Sequence, residues 1–394
     1  MPHSKGCFLP SATSTPASAP PRVLHVTQPA DGGVARVVTD LVRVQREQGM
    51  RVAVACPSAG GLREDLTALG CEVLDWEATR SPGRGIVGES RRLAAVVSRV
   101  RPDVIHAHSS KAGMVTRLVV RGRVPTVFQP HAWSFEAVEG TAARLALTWE
   151  RRAARWASRL ICVSRAEQRT GSGHGIAARW QLVPNGVDLE RFHPDGPTAR
   201  GRPAPARESP LVVCVGRLCR QKGQDVLLAA WPEVLRAVPG ARLVLVGDGP
   251  EEERLRAAAP PSVAFTGALD DPAPWYRAAD LVVLPSRWEG MALAPLEAMA
   301  CGSPVLATDV AGARESLPPH LAPRCLASPD DPADLARALR ALLRDTESLR
   351  ALGRDACRHV RAHHDVRRTA ALVADVYGEL LGPETIECRE PITT

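Results

Sequence analysis

Two carboxylates stand eight positions apart in the stretch Ser286-Arg-Trp-Glu-Gly-Met-Ala-Leu-Ala-Pro-Leu-Glu297. A glycine follows Glu289, and Pro295 comes two positions before Glu297. Proline suits a first helical position, where its missing N–H would have no partner anyway. The pattern predicts Glu289 on the lip of a strand-to-helix loop and Glu297 in the first turn of the helix. The free amides of such a helix start can hold an anion or a sugar hydroxyl. Two acceptor side chains framing a set of donors suit a polyhydroxylated, phosphorylated ligand. A second constellation, Val215-Gly-Arg-Leu-Cys-Arg-Gln-Lys-Gly223, leaves an apolar run and enters a helical one. Arg217 and Lys222 would project together at the end of that strand. Such a pair can neutralise a diphosphate, the Arg as a bidentate fork and the Lys as a point charge. Two more glycine turns fit the same face. One is Val246-Gly-Asp-Gly-Pro250; the other, Phe265-Thr-Gly267-Ala-Leu269, has backbone groups that could meet a nucleobase. Neither G-x-x-x-x-G-K-[ST] nor G-x-G-x-x-G occurs, which argues against a P-loop NTPase and an ordinary dinucleotide enzyme.

These residues need a scaffold, and the 394-residue chain supplies one. An apolar share of 45% with ordinary charge predicts globular structure and enough core for two or three domains. Short apolar runs alternate with 3.6-periodic stretches from residue 22 onward, the signature of doubly wound α/β folds. The first run passes into Asp31-Gly32-Gly33 and then a helix. The alternation stops in a Pro-, Gly- and Arg-rich stretch at 194–210, restarts at 211, and becomes all helical after Pro332. The expected organisation is a disordered leader (1–21), a first Rossmann-like domain (22–193), a linker (194–210) and a second Rossmann-like domain (211–365). A last helix (366–382) and a tail (383–394) follow. Such sheets bind ligands at the carboxyl ends of their strands. Two of them facing each other would make a deep central cleft.

The net charge is +7. Between Arg144 and Arg169 seven arginines stand against Glu150 and Glu167, with Trp149 and Trp156 among them. That segment reads either as a solvated helix face with tryptophans packed inward or as a surface meeting an anionic membrane. Nucleic-acid binding is disfavoured: aromatics are only 4% and no reading motif is present. His106 and His108 share one face of a strand end. They read as polar lining or, with Ser109, Ser110 and Lys111, as part of an acceptor pocket; as a metal site they lack an obvious third ligand. His359, His363 and His364 read as solvated. No D-x-D occurs, so no metal is expected at a diphosphate. Ten cysteines without a C-x-x-C pair indicate reduced thiols and a cytoplasmic protein. The leader lacks a signal-peptide core, and no apolar run reaches the ~18–20 residues of a spanning helix.

Residues 22–381 resemble the retaining glycosyltransferases of family 4, also called group 1, which have the GT-B fold. Four matches carry the resemblance: Asp31-Gly-Gly33, Pro184-Asn-Gly-Val-Asp-Leu-Glu-Arg-Phe192, Gly216-Arg-Leu with Lys222-Gly223, and the E-x7-E motif from Glu289 to Glu297. The resemblance implies that Glu289 binds donor-sugar hydroxyls close to the reacting carbon. Backbone amides at Met291, Ala292 and Leu293 would hold the sugar or phosphate, and Glu297 the ribose. Arg217 and Lys222 would stabilise the leaving diphosphate. His131, in Gln-Pro-His-Ala-Trp133, matches the histidine near the donor sugar, and Gly32 and Gly33 would let backbone approach the phosphates. Met291 and Ala292 depart from the commoner aromatic and glycine, which bears on donor identity. The implied activity is transfer of a sugar from a nucleotide-diphosphate donor, a UDP-sugar first, to a lipid-linked, polysaccharide or small-molecule hydroxyl. It would use no cofactor or metal and could run at the inner membrane face. A sugar-nucleotide 2-epimerase of the same fold and a non-catalytic nucleotide-sugar-binding protein are the alternatives.

Overall fold

The computed structural model describes residues 20–79, 83, 85–199 and 209–382. The expected tail, nearly all of the leader, and the centre of the expected linker lie outside the described residues.

The first half runs β1 (Arg22–Thr27), α1 (Gly32–Glu47), β2 (Arg51–Cys56), α2 (Gly61–Ala68), β3 (Glu72–Asp75), α3 (Ile86–Val100), β4 (Val104–His108), α4 (Ser109–Val120), β5 (Thr126–Gln129), α5 (Gly140–Ala153), β6 (Arg159–Cys162), α6 (Arg165–Gly173) and β7 (Trp180–Leu182). The second half runs β8 (Leu211–Val215), α7 (Gln224–Ala237), β9 (Arg242–Val246), α8 (Glu252–Ala258), β10 (Val263–Gly267), α9 (Ala273–Ala278), β11 (Leu281–Leu284), α10 (Leu293–Ala300) and β12 (Val305–Thr308). It continues through α11 (Ala313–Ser316), α12 (Ala322–Cys325), β13 (Leu326–Ala327), α13 (Pro332–Leu343), α14 (Thr346–His363) and α15 (Val366–Leu381). The strands form two parallel sheets, ordered β3-β2-β1-β4-β5-β6-β7 and β10-β9-β8-β11-β12-β13. Helices cover both faces, so the central strands are buried apolar runs with little alternation. Strand order reverses at β1/β4 and at β8/β11, the points where open α/β sheets leave a crevice.

Helix α10 starts at Leu293, two residues ahead of Pro295, so Glu297 lies beyond the first turn where the spacing had put it. Proline is still harmless as third residue, because the first amides of a helix have no internal partner. Helix α4 starts at Ser109, straight from the end of β4.

The chain passes between the halves twice. Pro184-Asn-Gly-Val187 meets the start of α15, where Val187 N donates to His364 O at 2.8 Å and Val366 N donates to Val187 O at 3.1 Å. A Cβ on Gly186 would lie 2.7 Å from the Val366 backbone, so only glycine lets these two segments approach. His364 is therefore buried and bonded to the Asn185 carbonyl at 2.9 Å. This corrects its reading as a solvated residue, since its helix ends at the junction. Helix α15 then packs on α1 and β4 of the first half.

In the Arg144–Arg169 segment, Glu150 turns inward and pairs with the buried Arg117 of α4 at 2.8 Å. Arg117 also lies 3.9 Å over the Phe128 ring. Trp149 and Trp156 are half-buried, with ring centroids 6.1 Å apart, while Leu145 is 71% exposed. Among the described residues no helix is long and apolar enough to cross a membrane.

Breaking a buried ion pair on one side leaves an uncompensated charge, which costs about 3–5 kcal/mol. Glu150→Leu should therefore lower the urea midpoint strongly, and adding Arg117→Met should recover most of the loss. A double variant as unstable as the single one would contradict this account of the α4–α5 contact.

Candidate active site

The loops after β8 and β11 flank the second switch point, and they carry the two constellations. Lys222 sits in a 3-10 turn after β8, and its Nζ lies 2.6 Å from Glu289 Oε1. Ser286 donates to the same oxygen at 2.8 Å. Burial pulls the Lys222 pKa down, but the charge and hydrogen bond of Glu289 outweigh it and hold the ammonium above its ordinary range. Arg217 emerges beside this pair. It is exposed, and its guanidinium has no hydrogen bond or ion pair among the described residues.

Gly290 explains how close the two halves come. A Cβ there would lie 2.5 Å from the His131 carbonyl oxygen of the first half. The glycine after Glu289 is thus a steric requirement of the cleft. His131 itself has φ 63°, a left-handed conformation that aims its carbonyl at Gly290. Asn185 at the chain crossing donates to Met291 O at 2.7 Å, fixing the second residue before α10. Ala292 caps that helix, and Leu293 is its first residue, packed inward. Glu297 is buried and accepts from the Tyr276 hydroxyl at 2.7 Å. Burial raises its pKa, while the Tyr276 bond and then the Arg36 charge oppose the rise.

Arg36 belongs to α1, one turn beyond Gly32 and Gly33. Its charge lowers the Glu297 pKa across the cleft. Gly32 has φ 78°, and a Cβ on either glycine would meet open space. Gly267 closes β10 against Gly247, and Leu269 beyond it is 41% exposed. The structure thus joins Lys222, Glu289, Met291 and His131 in one chain of contacts, and Glu297 to Tyr276. Among the described residues it shows no direct contact linking Gly267 or Leu269 to them. A groove of about 290 Å³ opens between the halves, lined by Glu136 and Glu139 on one side and Arg220, Arg287 and Trp288 on the other.

Several participants carry no motif. Glu315 of α11 accepts from the Arg165 and Ala166 amides, both at 2.8 Å. A carboxylate of the second half thereby caps α6 of the first, where the helix dipole favours it. His25, in the apolar run of β1, is the third histidine that the H-x-H pair seemed to lack. The register places it opposite His106, and all three are buried. Their ring nitrogens lie within 4.8 Å of one another. Two nitrogens on one zinc are at most ~4.2 Å apart, and His25 and His108 already bond each other at 2.9 Å. In this arrangement His25 and His108 are hydrogen-bonded to each other, and His106, packed against both, bonds Tyr377 instead. Lys111 does not join it in an open pocket: it is buried and paired with Glu89 at 2.9 Å. A histidine within an apolar strand was the available signal for His25; nothing local marks Glu315 or Tyr276.

The sequence-family models match both halves: Glycosyltransferase Family 4 over residues 31–191 and Glycosyl transferases group 1 over 209–345. The D-inositol 3-phosphate glycosyltransferase of Thermobispora bispora is 34% identical over 319 residues, spanning 74% of this chain and 73% of its own length. The chain belongs to glycosyltransferase family 4. This glycosyltransferase is also 40% identical, over 39% of its chain and 44% of the relative's, to a GDP-mannose-dependent phosphatidylinositol monomannoside mannosyltransferase of Mycobacterium tuberculosis. Among solved structures, Anabaena HepE in complex with UDP-glucose aligns with a TM-score of 0.77 at 23% identity, covering 91% of this chain and 100% of HepE. Sucrose-phosphate synthase of Thermosynechococcus elongatus aligns at 0.76 and 22% identity, over 91% and 99%. These likenesses give the glycosyltransferase the GT-B fold that its sequence led one to expect.

A cap at a helix start contributes about 1 kcal/mol. Glu315→Ala should therefore speed hydrogen exchange of the Arg165 and Ala166 amides several-fold and raise the radius of gyration seen by small-angle scattering. Unchanged exchange at both amides would mean that Glu315 does not hold the halves together.

Proposed function

We propose that this glycosyltransferase transfers a sugar from a nucleotide-diphosphate donor to an acceptor hydroxyl with retention of anomeric configuration, without a metal. The observation that carries the reading is the Lys222–Glu289 pair at the second switch point, with the exposed Arg217 beside it. In this reading Arg217 and Lys222 face the diphosphate and stabilise charge as it builds on the leaving group. Donor binding draws Lys222 partly from Glu289 to phosphate and frees the carboxylate for sugar hydroxyls. Amides at Met291, Ala292 and Leu293 bind sugar or phosphate oxygens, and Glu297 takes the ribose in place of or beside Tyr276. Gly267 and Leu269 border the base, Gly32 and Gly33 the phosphates, and His131 the sugar. The acceptor attacks the face that the nucleotide leaves, and the departing phosphate takes its proton. With two cations supplying the charge, no divalent ion is required at the diphosphate.

We take a UDP-sugar as donor, as HepE binds UDP-glucose, with GDP-mannose as the competing choice from the mannosyltransferase relative. We take the acceptor to be membrane-borne. The phosphatidylinositol monomannoside mannosyltransferase among the relatives supports this. So does α5, with Leu145 and several arginines exposed on the first half.

Losing one preorganised charge donor costs about a hundredfold in turnover. Lys222→Ala should show that loss, and near-normal turnover would remove the lysine from the mechanism. The reading as a whole is checked by incubating pure protein with a panel of UDP- and GDP-sugars, with and without membrane extract, and following released nucleotide. Release that needs extract supports the lipid acceptor. Isomerised donor without glycoside would instead indicate an epimerase, and no release with any donor would sink the reading.

A further inference from the structure

The face of the first sheet beneath α1 and α15 is unusually polar for a core. His25 of β1 is in register with His106 of β4, and His108 with Gln129 of β5, so all four side chains share that face. The bonds among them form a line. Gln45 of α1 lies 2.8 Å by Oε1 from His25 Nε2, His25 Nδ1 lies 2.9 Å from His108 Nε2, and His108 Nδ1 lies 3.1 Å from His131 Nε2. The line ends at the residue whose carbonyl abuts Gly290.

Burial keeps every imidazole in the line neutral, because an uncompensated imidazolium is costly there. It pushes His25 down to about 4 and His131 to about 3, and His108 well below its ordinary value. A neutral imidazole has one N–H and one lone pair. Once the first bond of such a line is given a direction, every later one follows. An amide oxygen can only accept, so His25 donates from Nε2 to Gln45 and accepts at Nδ1. His108 must then donate from Nε2 and accept at Nδ1, and His131 must donate from Nε2.

The far side of Gln45 is compatible with this direction. Tyr377 of α15 is bonded to His106 Nδ1 at 2.7 Å, and the Gln45 side chain lies against the same phenol and opposes the effect of burial on it. The Gln45 amide nitrogen is buried and has no hydrogen-bond partner among the described residues. A Tyr377 hydroxyl donating to His106 has a lone pair free for that nitrogen.

We propose that Gln45, His25 and His108 are positioning residues, a hydrogen-bonded wire that locks His131 in its Nε2–H tautomer and leaves its Nδ1 as an acceptor for a hydroxyl of the bound sugar. The proposal rests on the donor-site reading for the role of that acceptor, but the tautomer does not depend on any substrate. The wire also ties the site to α15, which presents Tyr377 to both Gln45 and His106. A ring free to change tautomer would spend part of its time presenting an N–H where an acceptor is needed.

The test is nitrogen-15 NMR of the full chain labelled at histidine, in which two-bond couplings distinguish protonated from bare ring nitrogens. His25, His108 and His131 should each appear as a single Nε2–H tautomer near neutral pH. An Nδ1–H form, or a mixture, at any of the three in the wild-type protein overturns the wire, whether or not sugar transfer is found. Gln45→Leu should give mixed tautomers at His131 and lower turnover about tenfold, the weight of one hydrogen bond, with donor KM within twofold. An unmoved His131 tautomer in the folded variant overturns the wire. Mixed tautomers with unchanged turnover overturn its role in the reaction.

Discussion

The cleft depends on the pairing of Lys222 with Glu289. Both groups are largely removed from water, and either alone would carry a desolvation penalty of several kcal/mol. They come from loops 67 residues apart, and they meet only because β8 and β11 are neighbours at the point where strand order reverses. The register of a parallel sheet thus becomes an electrostatic condition on the site. Ser286, one of the residues that leads from β11 into the loop, adds a hydrogen bond to the same carboxylate. The two charges neutralise one another, which offsets the cost of burying either.

The same economy of contacts joins the halves. The contacts there are Gly290 against the His131 carbonyl, Asn185 on the Met291 carbonyl and Glu315 of α11 on the α6 amides. Each is polar or steric, and none is a large apolar surface. Interfaces of that kind permit relative domain motion. The crossing at Asn185–Val187 and the start of α15 is different, because backbone bonds pair the two passages of the chain there. It is suited to be the fixed point about which the looser contacts open and close.

The alternation of apolar runs and helical stretches revealed both sheets. Arg217, Lys222 and Glu289 lie on the loops that follow β8 and β11, so local pattern suffices to place them. The histidine line was illegible for a physical reason. His25 and His106 are meaningful only as lateral neighbours, which requires the β1/β4 register, and Gln45 and Tyr377 look like ordinary members of amphipathic helices. Glu315 looks like a surface acid until the halves face each other. The position of α10 was misjudged by two residues because Pro295 is as acceptable in third place as in first. The stretch from Arg144 to Arg169 proved divided: its two acids, Glu150 and Glu167, serve the core, and its Leu145 faces water.

Helix α15 has a consequence in time. Tyr377 follows its partner His106 by 271 residues. At ordinary elongation rates the ribosome needs on the order of tens of seconds to cover that distance. Throughout that interval the first half has its strands but not its last cover, and its buried imidazoles have only part of their partners. The first half can therefore reach its final form only after the second has been made. In this chain of two similar sheets, the half that is made first is the one that needs the last helix to be complete.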